Sequence, residues 1–483
     1  MKVVLRLESA RLVYAFTLEK GDGARPGQRA RMARRECEIR LPCGWTLDDA
    51  HPDLIALSVL LLVSPFAARR IVMPRPVSQG LAEAASALVR LEVGPIDGAL
   101  GPRRTPDDGV PGLAYSGGID STAAMAVLPK STRLYFLDRL LPRGYSGLYS
   151  PEAAKAACAH LRSERRSVLE VKSDLEELRS PIGFPVDWAN ALPLVLLADK
   201  ERIDSACFGT VLESAYRVGH ERYLDFPERP YYKRWNGMFS AAGLPLSLPV
   251  AGLSEIATSK LVLGSPYRSV AQSCVRGRSH EPCLQCYKCF RKQLLQSILD
   301  GSTAPNDSVD RLLQAPDVRD LLLHHPLKHG NVIAYTACRY QGNHPVLLAL
   351  RGLTRSYTTD TSWMERWYAP SIHLVPKRYR DHVKTAILSV LRTMSREDEQ
   401  RVRSWHIEIT DAAARTHRRV VLRALRKGKP VGCRPLAAIT RYTRKLLRSR
   451  FSLWLYRVAG GANARWARGI RRFGNDRTGK HCR

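Results

Sequence analysis

The chain lacks any apolar run long enough to span a bilayer, which takes about twenty residues. Its most apolar stretch, Leu54 to Ala68, is shorter and contains Pro65. A core helix is expected there, and no transmembrane segment. Cysteine is scarce, with 11 in 483 residues, which excludes a disulfide-built scaffold. Acid is scarce beside base, 45 Asp and Glu against 76 Lys and Arg. The net charge of +31 favours polyanionic partners such as nucleic acid, anionic lipid or phosphorylated ligands. The opening residues Met1 to Glu8 alternate charge with apolar side chains and do not resemble a secretory signal. Internal repeats and long low-complexity tracts are missing too. What remains is 45% hydrophobic, enough for two or three ordinary domains.

The basic charge is concentrated. From Arg415 to Arg483 there are 21 Lys and Arg against one acid, Asp476. Trp454, Tyr456, Trp466 and Phe473 are interleaved with them. Leu436 to Val458 has a basic amphipathic helical pattern. Such a tail suits RNA phosphates and bases, or an anionic membrane surface.

Residues 1–107 read as a separate α+β N-terminal domain of unassigned role. Strands are expected at Val3–Leu7, Leu12–Leu18 and Arg69–Met73, and helices at Asp53–Val63 and Gly80–Leu91. Gly98 to Gly112 reads as a linker. Residues 108–297 then alternate strand and helix. Strands are predicted at Leu113–Tyr115, Arg133–Leu137, Ser167–Val171 and Ser205–Phe208. Helices are predicted at Asp120–Leu128, Pro151–Arg162 and Trp188–Arg202. That alternation predicts an α/β fold, a parallel sheet with helices on both faces. Residues 298–483 read as mainly helical, with helices over Val309–Leu323 and Arg380–Met394.

At the first strand-to-helix turn of the α/β region stands Tyr115-Ser116-Gly117-Gly118-Ile119-Asp120-Ser121-Thr122. Gly117 and Gly118 let the backbone approach an anion closely. Ser116, Ser121 and Thr122 bring hydroxyls, and the helix beginning near Ile119 turns free N–H groups toward the same point. Asp120 would repel a bare phosphate, so it implies a Mg²⁺ bridge or a structural cap. The octet resembles the SGGxDS signature of the PP-loop ATP pyrophosphatases. The resemblance implies a Rossmann-like (HUP-type) sheet and cleavage of ATP between its α and β phosphates, with adenylation of a substrate. It implies pyrophosphate contacts from Ser116, Gly117, Gly118, Ile119, Ser121 and Thr122, with Asp120 and Ser121 as catalytic residues and Mg²⁺ at Asp120. Asp138 and Gly209, at the ends of later strands, are expected to face the nucleotide, with Thr210 and Glu213 just beyond.

Four of the cysteines, Cys274, Cys283, Cys286 and Cys289, are spaced C-x8-C-x2-C-x2-C. Four thiolates so spaced suit a tetrahedral Zn²⁺ site in a reducing, cytoplasmic setting, and an iron–sulfur cluster is the rival. Lys288, Arg291 and Lys292 are placed to offset thiolate charge, and His280 to replace one sulfur. This spacing, after an SGGxDS loop and with the string Ser273-Cys274-Val275-Arg276-Gly277, resembles 7-cyano-7-deazaguanine synthase over about residues 111–297. The segment Gly209 to Tyr216 departs from that family's substrate-binding motif. The resemblance therefore carries fold, ATP chemistry and zinc, and not the deazaguanine substrate.

Three functions follow as expectations. The first is ATP-dependent activation of a small-molecule acid or nucleobase-like carbonyl, followed by attack of ammonia or another nucleophile supplied free or by a partner protein. The second is a tRNA-modifying, thiolation-type enzyme, drawing sulfur from Cys207, from a cluster cysteine or from a donor. The third is a zinc-stabilised nucleotide-sensing protein without turnover.

Overall fold

The computed structural model describes residues 1–24, 30–142, 149–219, 223–324, 327–355, 360–405 and 411–427. The patterned stretch Leu436 to Val458 and the aromatic residues of the basic tail lie outside them. Residues Met1–Lys427 form one compact unit.

Along the chain the strands are β1 (Lys2–Glu8), β2 (Arg11–Thr17), β3 (Arg31–Met32), β4 (Glu36–Arg40), β5 (Arg70–Val77), β6 (Glu92–Ile96) and β7 (Val110–Ala114). They continue as β8 (Arg133–Arg139), β9 (Val168–Ser173), β10 (Arg179–Ser180), β11 (Ile203–Cys207) and β12 (Leu246–Ser247). Ten of them make a single sheet in the order β12-β11-β7-β8-β9-β4-β2-β1-β5-β6. From β12 to β9 every pairing is parallel. β9 then pairs antiparallel with β4, through Ile39 opposite Ser173 and Arg40 opposite Lys172. Antiparallel pairing continues through β2 and β1, and β5 and β6 add parallel strands at the far edge. The fold is thus mixed α/β around a large, mostly parallel central sheet. Strands β1, β2, β4, β5 and β6 of residues 1–107, a segment expected as a separate α+β domain, belong to this same sheet, because β4 is hydrogen-bonded directly to β9.

The first helices are α1 (Pro52–Val63), α2 (Gln79–Ala84), α3 (Ile119–Val127), α4 (Glu152–Ser163) and α5 (Leu192–Leu197). Next come α6 (Leu212–Ala215), α7 (Pro230–Ala241), α8 (Glu255–Leu263) and α9 (Tyr287–Leu299). A helix apolar on all sides must be buried. In α1 every residue from Leu54 to Val63 is at most 1% exposed. Its side chains share one core with Tyr14 and Ile39 of the N-terminal strands and with Leu194, Val195 and Phe239 of the α/β region. On the other face, α3 packs against α8 within a second core containing Ala124, Met125, Leu161 and Leu261.

The C-terminal helices are α10 (Asn306–Leu313), α11 (Pro316–Leu322), α12 (Gly330–Arg339), α13 (Pro345–Leu353), α14 (Arg380–Leu388), α15 (Arg396–Arg403) and α16 (Asp411–Lys427). α10, α11 and α12 pack on α9, and α16 packs on α13. α14 instead returns to α3.

Several helices differ from the sequence expectation for identifiable reasons. The expected Val309–Leu323 helix is two helices. Ala315, with φ −66° and ψ 126°, takes the extended conformation required before Pro316. The expected Trp188–Arg202 helix is α-helical only over α5, preceded by a 3₁₀ turn at Asp187–Ala191. Pro193 is admissible in a first turn and not deeper. The Gly80–Leu91 helix relaxes into a π-turn over Ala85–Val89 and stops where Arg90 enters the left-handed region. The Arg380–Met394 helix ends early, at Leu388. The supposed linker ends inside β7, which begins at Val110.

Candidate functional site

β7 ends at Ala114, and the next four residues cross to the start of α3. Gly117 adopts φ +71°, and a Cβ there would lie 2.8 Å from the Ala154 Cα of α4. Both facts require glycine. Gly118 caps α3. The turn is tied internally: the Ser116 N–H donates to Ser121 Oγ at 3.2 Å, and Ser121 Oγ donates to the Gly118 carbonyl at 3.0 Å. Gly209, just past β11, presses against the first turn of α3. A Cβ at Gly209 would lie 2.7 Å from the Ser121 nitrogen. The loop therefore sits where the strand order departs in both directions, from β7 to β8 and from β7 to β11. Open parallel sheets bind ligands at such a crevice.

A cavity of about 510 Å³ opens there. Ser116, Gly118, Asp120, Ser121, Gly209 and Thr210 form its loop end. Trp188, Phe208, Phe226 and Tyr231 supply aromatic walls, with Arg217 and Arg229 beside them. Trp188 is buried, and neither its Nε1 nor Asn190 Oδ1 has a hydrogen-bond partner among the described residues. Buried polar atoms are seldom left unpaired, so this wall is suited to a ligand with a complementary polar edge.

A buried charge network lies behind the loop. Asp120 Oδ1 accepts from Thr258 Oγ1 at 3.0 Å and is 3.8 Å from Lys292 Nζ. Lys292 is also 3.2 Å from Glu255 Oε2. Arg291 Nη1 and His329 Nδ1 approach Glu255 Oε1 at 2.9 and 2.8 Å. Burial opposes charge on both Lys292 and Glu255. Asp120 and Glu255 nevertheless raise the Lys292 pKa, and Lys292, Arg291 and His329 hold the Glu255 carboxyl well below its usual range. Glu213, fully buried, accepts the Glu255 N–H on both oxygens, at 3.0 and 3.1 Å, and Asn331 Nδ2 at 2.6 Å. Burial, then repulsion by Glu255, pushes its carboxyl up to about 8.

The sulfurs of Cys274, Cys283, Cys286 and Cys289 all lie within 4.8 Å of one another, and Cys283 and Cys289 are 3.8 Å apart. Sulfurs about 2.3 Å from one tetrahedral Zn²⁺ stand at about that separation. A cubane cluster, with one iron per sulfur, would hold them farther apart. N–H donors from Cys283 to Cys274 Sγ, Gln285 to Cys283 Sγ and Cys289 to Cys286 Sγ are suited to thiolate ligands. The four cysteines therefore fit a single metal ion such as zinc. A second cavity, about 450 Å³, lies between this site and Ile119 at the start of α3.

Other expectations fall differently. Thr122 is turned into the core, its hydroxyl 3.2 Å from that of Tyr115. Asp138 is buried and paired with Lys155 at 2.7 Å, away from the cavity lining. Glu213 lines the cavity, but its carboxylate is held by Glu255 and Asn331. Arg291 and Lys292 pair with Glu255 and Asp120, so they do not serve chiefly to offset thiolate charge. His280 lies outside the four-sulfur group. Cys207 is fully buried, and burial pushes its thiol up to about 12. Glu255, Thr258 and Asn331 belong to no motif, and only the folded chain brings them to the loop. Trp188 could be found only as an aromatic residue at the start of an expected helix.

No helix among the described residues is long and apolar enough to cross a membrane. No curated protein and no solved structure matches the chain. Residues 234–406 are similar to a family of unknown function, DUF6395, and that segment spans α8, the four cysteines, α9 and Asn331 while beginning beyond the glycine loop.

Proposed function

We propose that the chain is a PP-loop ATP pyrophosphatase with a Rossmann-like, HUP-type nucleotide domain. One observation carries the reading. The SGGxDS-like loop joins β7 to α3 at the switch point of a five-stranded parallel array and opens into a cavity large enough for a nucleotide phosphate chain. The free N–H groups of α3 and the hydroxyls of Ser116 and Ser121 suit the β and γ phosphates. Asp120 would hold Mg²⁺, which neutralises phosphate charge when bound. Its Oδ1 is fixed by Thr258, so the carboxylate is pre-oriented.

In this reading an acceptor oxygen, from a carboxylate or carbonyl, attacks the α phosphorus. The bond from that phosphorus to the bridging oxygen breaks, and pyrophosphate leaves with the bonding pair. Ammonia or another amine then displaces AMP from the activated carbon. The chain's contribution is orientation and charge stabilisation. The aromatic and arginine wall, with the unpaired Trp188 and Asn190 atoms, suits a small planar acid or nucleobase-like acceptor. Sulfur transfer is less well supported, because Cys207 is buried as a neutral thiol and the other four cysteines are grouped for metal. The basic tail supplies affinity for a polyanion, tRNA or an anionic membrane.

Calorimetry with ATP·Mg²⁺ tests the reading. Micromolar binding by the native chain, abolished by Asp120→Ala and Gly118→Val, is expected. Release of AMP and pyrophosphate with a panel of acids, amines and tRNA then identifies the acceptor. A folded, metal-replete native chain that binds no ATP with any of these acceptors present would rule the reading out.

A further inference from the structure

α9 links the two halves of the site. Cys286 caps it and Cys289 lies in its first turn, so two of the four sulfurs fix its start. Lys288 stands between them. Among the described residues, Lys288 alone borders both cavities: it lines the first together with Ser116, Gly118 and Asp120, and the second together with Cys289 and Lys292. The neighbouring cations are committed, Arg291 to Glu255 and Lys292 to Glu255 and Asp120. The ion pairs among the described residues do not include Lys288, which is only half-buried. A lysine lining the same cavity as a glycine loop and a helix N-terminus, and in no ion pair among the described residues, is complementary to phosphate oxygens.

We propose that Lys288 binds the phosphate chain of the nucleotide opposite the α3 N-terminus, and that the four-cysteine metal site fixes the turn that presents it. The proposal rests on the nucleotide reading above. Lys288 forms no covalent bond. It supplies a fixed positive charge where negative charge accumulates on the departing pyrophosphate. Metal ligation at Cys286 and Cys289 holds that charge in place before ligand arrives, which removes an ordering cost from binding.

Binding of pyrophosphate·Mg²⁺ and ATP·Mg²⁺ to the full-length native chain, Lys288→Met and Lys288→Arg tests this, with metal content and melting midpoint measured on each. Lys288→Met is expected to bind pyrophosphate about tenfold or more weakly, the loss of one charge-assisted contact. Its metal content and melting midpoint should stay native, and Lys288→Arg should recover most of the affinity. Equal pyrophosphate binding by native and Lys288→Met chains overturns the proposal while leaving the nucleotide reading intact. Failure of the native chain to bind either ligand overturns both. Chelation of the metal, where circular dichroism shows the sheet retained, should weaken the native chain and cost Lys288→Met little more. Equal losses in the two chains would break the link between metal and lysine.

Discussion

Glu213 carries a proton at neutral pH in the folded chain, because burial and the charge of Glu255 raise its carboxyl from the ordinary carboxylate range to about 8. The unfolded chain gives that proton up near its ordinary value. This contribution to stability is therefore complete at low pH and is lost as pH rises toward 8. Glu255, held low, acts in the opposite sense and only at acid pH. His329, its pKa lowered by burial, matters only below the ordinary histidine value of about 6.5. Between pH 6.5 and 8 Glu213 is the one of the three that changes stability. Denaturant unfolding should show the native chain losing on the order of 1 kcal/mol across that interval, and Glu213→Gln should remove the slope. An unchanged slope in the variant would assign it to another group. Residues of this kind were the hardest to foresee. The loop's glycines and serines were legible because their roles are local to one turn. Glu213 acquires its chemistry from Glu255 and Asn331, which no spacing connects to it. For Thr122 and Asp138 the local pattern gives the turn or the strand end and not the side chain's partner, Tyr115 or Lys155.

At the scale of elements, α9 draws on its cysteines twice, Cys286 as its cap and Cys286 with Cys289 in a four-sulfur group that could hold a metal such as zinc. Cys286→Ser keeps an oxygen able to cap but loses a thiolate ligand. Metal affinity should fall by more than about a hundredfold, beyond the usual effect of an outer-shell change. Hydrogen exchange should then accelerate in α9 and in α10 to α12, which pack on it, before it does in β7 and β8. Elemental analysis and exchange mass spectrometry check both parts. Uniform acceleration over the sheet would show that the metal supports the whole unit and not this corner alone. Four strands of the α/β region and the helices α3 and α4 were legible, since alternation and a helix-start proline act over a few residues, whereas no helix was expected over α6 to α9. The misplaced helix ends have equally local causes, the extended Ala315 before Pro316 and the left-handed Arg90.

For the whole molecule, the notable pairing is β4 with β9, residues more than a hundred positions apart. Nothing near Ile39 announces Ser173 as its neighbour, and the N-terminal segment reads locally as a domain of its own. In the fold, a fragment of residues 108–427 would expose the β9 edge and the surfaces of α5 and α7 that meet α1. Unpaired edges and uncovered apolar faces promote aggregation. The fragment should be insoluble or lack a cooperative melting transition where the 1–427 chain is soluble and shows one. A soluble, cooperatively melting fragment would re-establish the N-terminal segment as a separate domain.

The continuous sheet makes Lys2 and Gly118 members of one cooperative structure. A ligand seated at the ends of β7 and β11 subtracts its binding free energy from every opening that requires the whole sheet to separate, about 2.7 kcal/mol when present at a hundred times its dissociation constant. Amides of β1 and β2, which touch no part of the cavity, should then exchange up to about a hundredfold more slowly on saturation with nucleotide. The amino-terminal strands would report occupancy of a pocket several strands away.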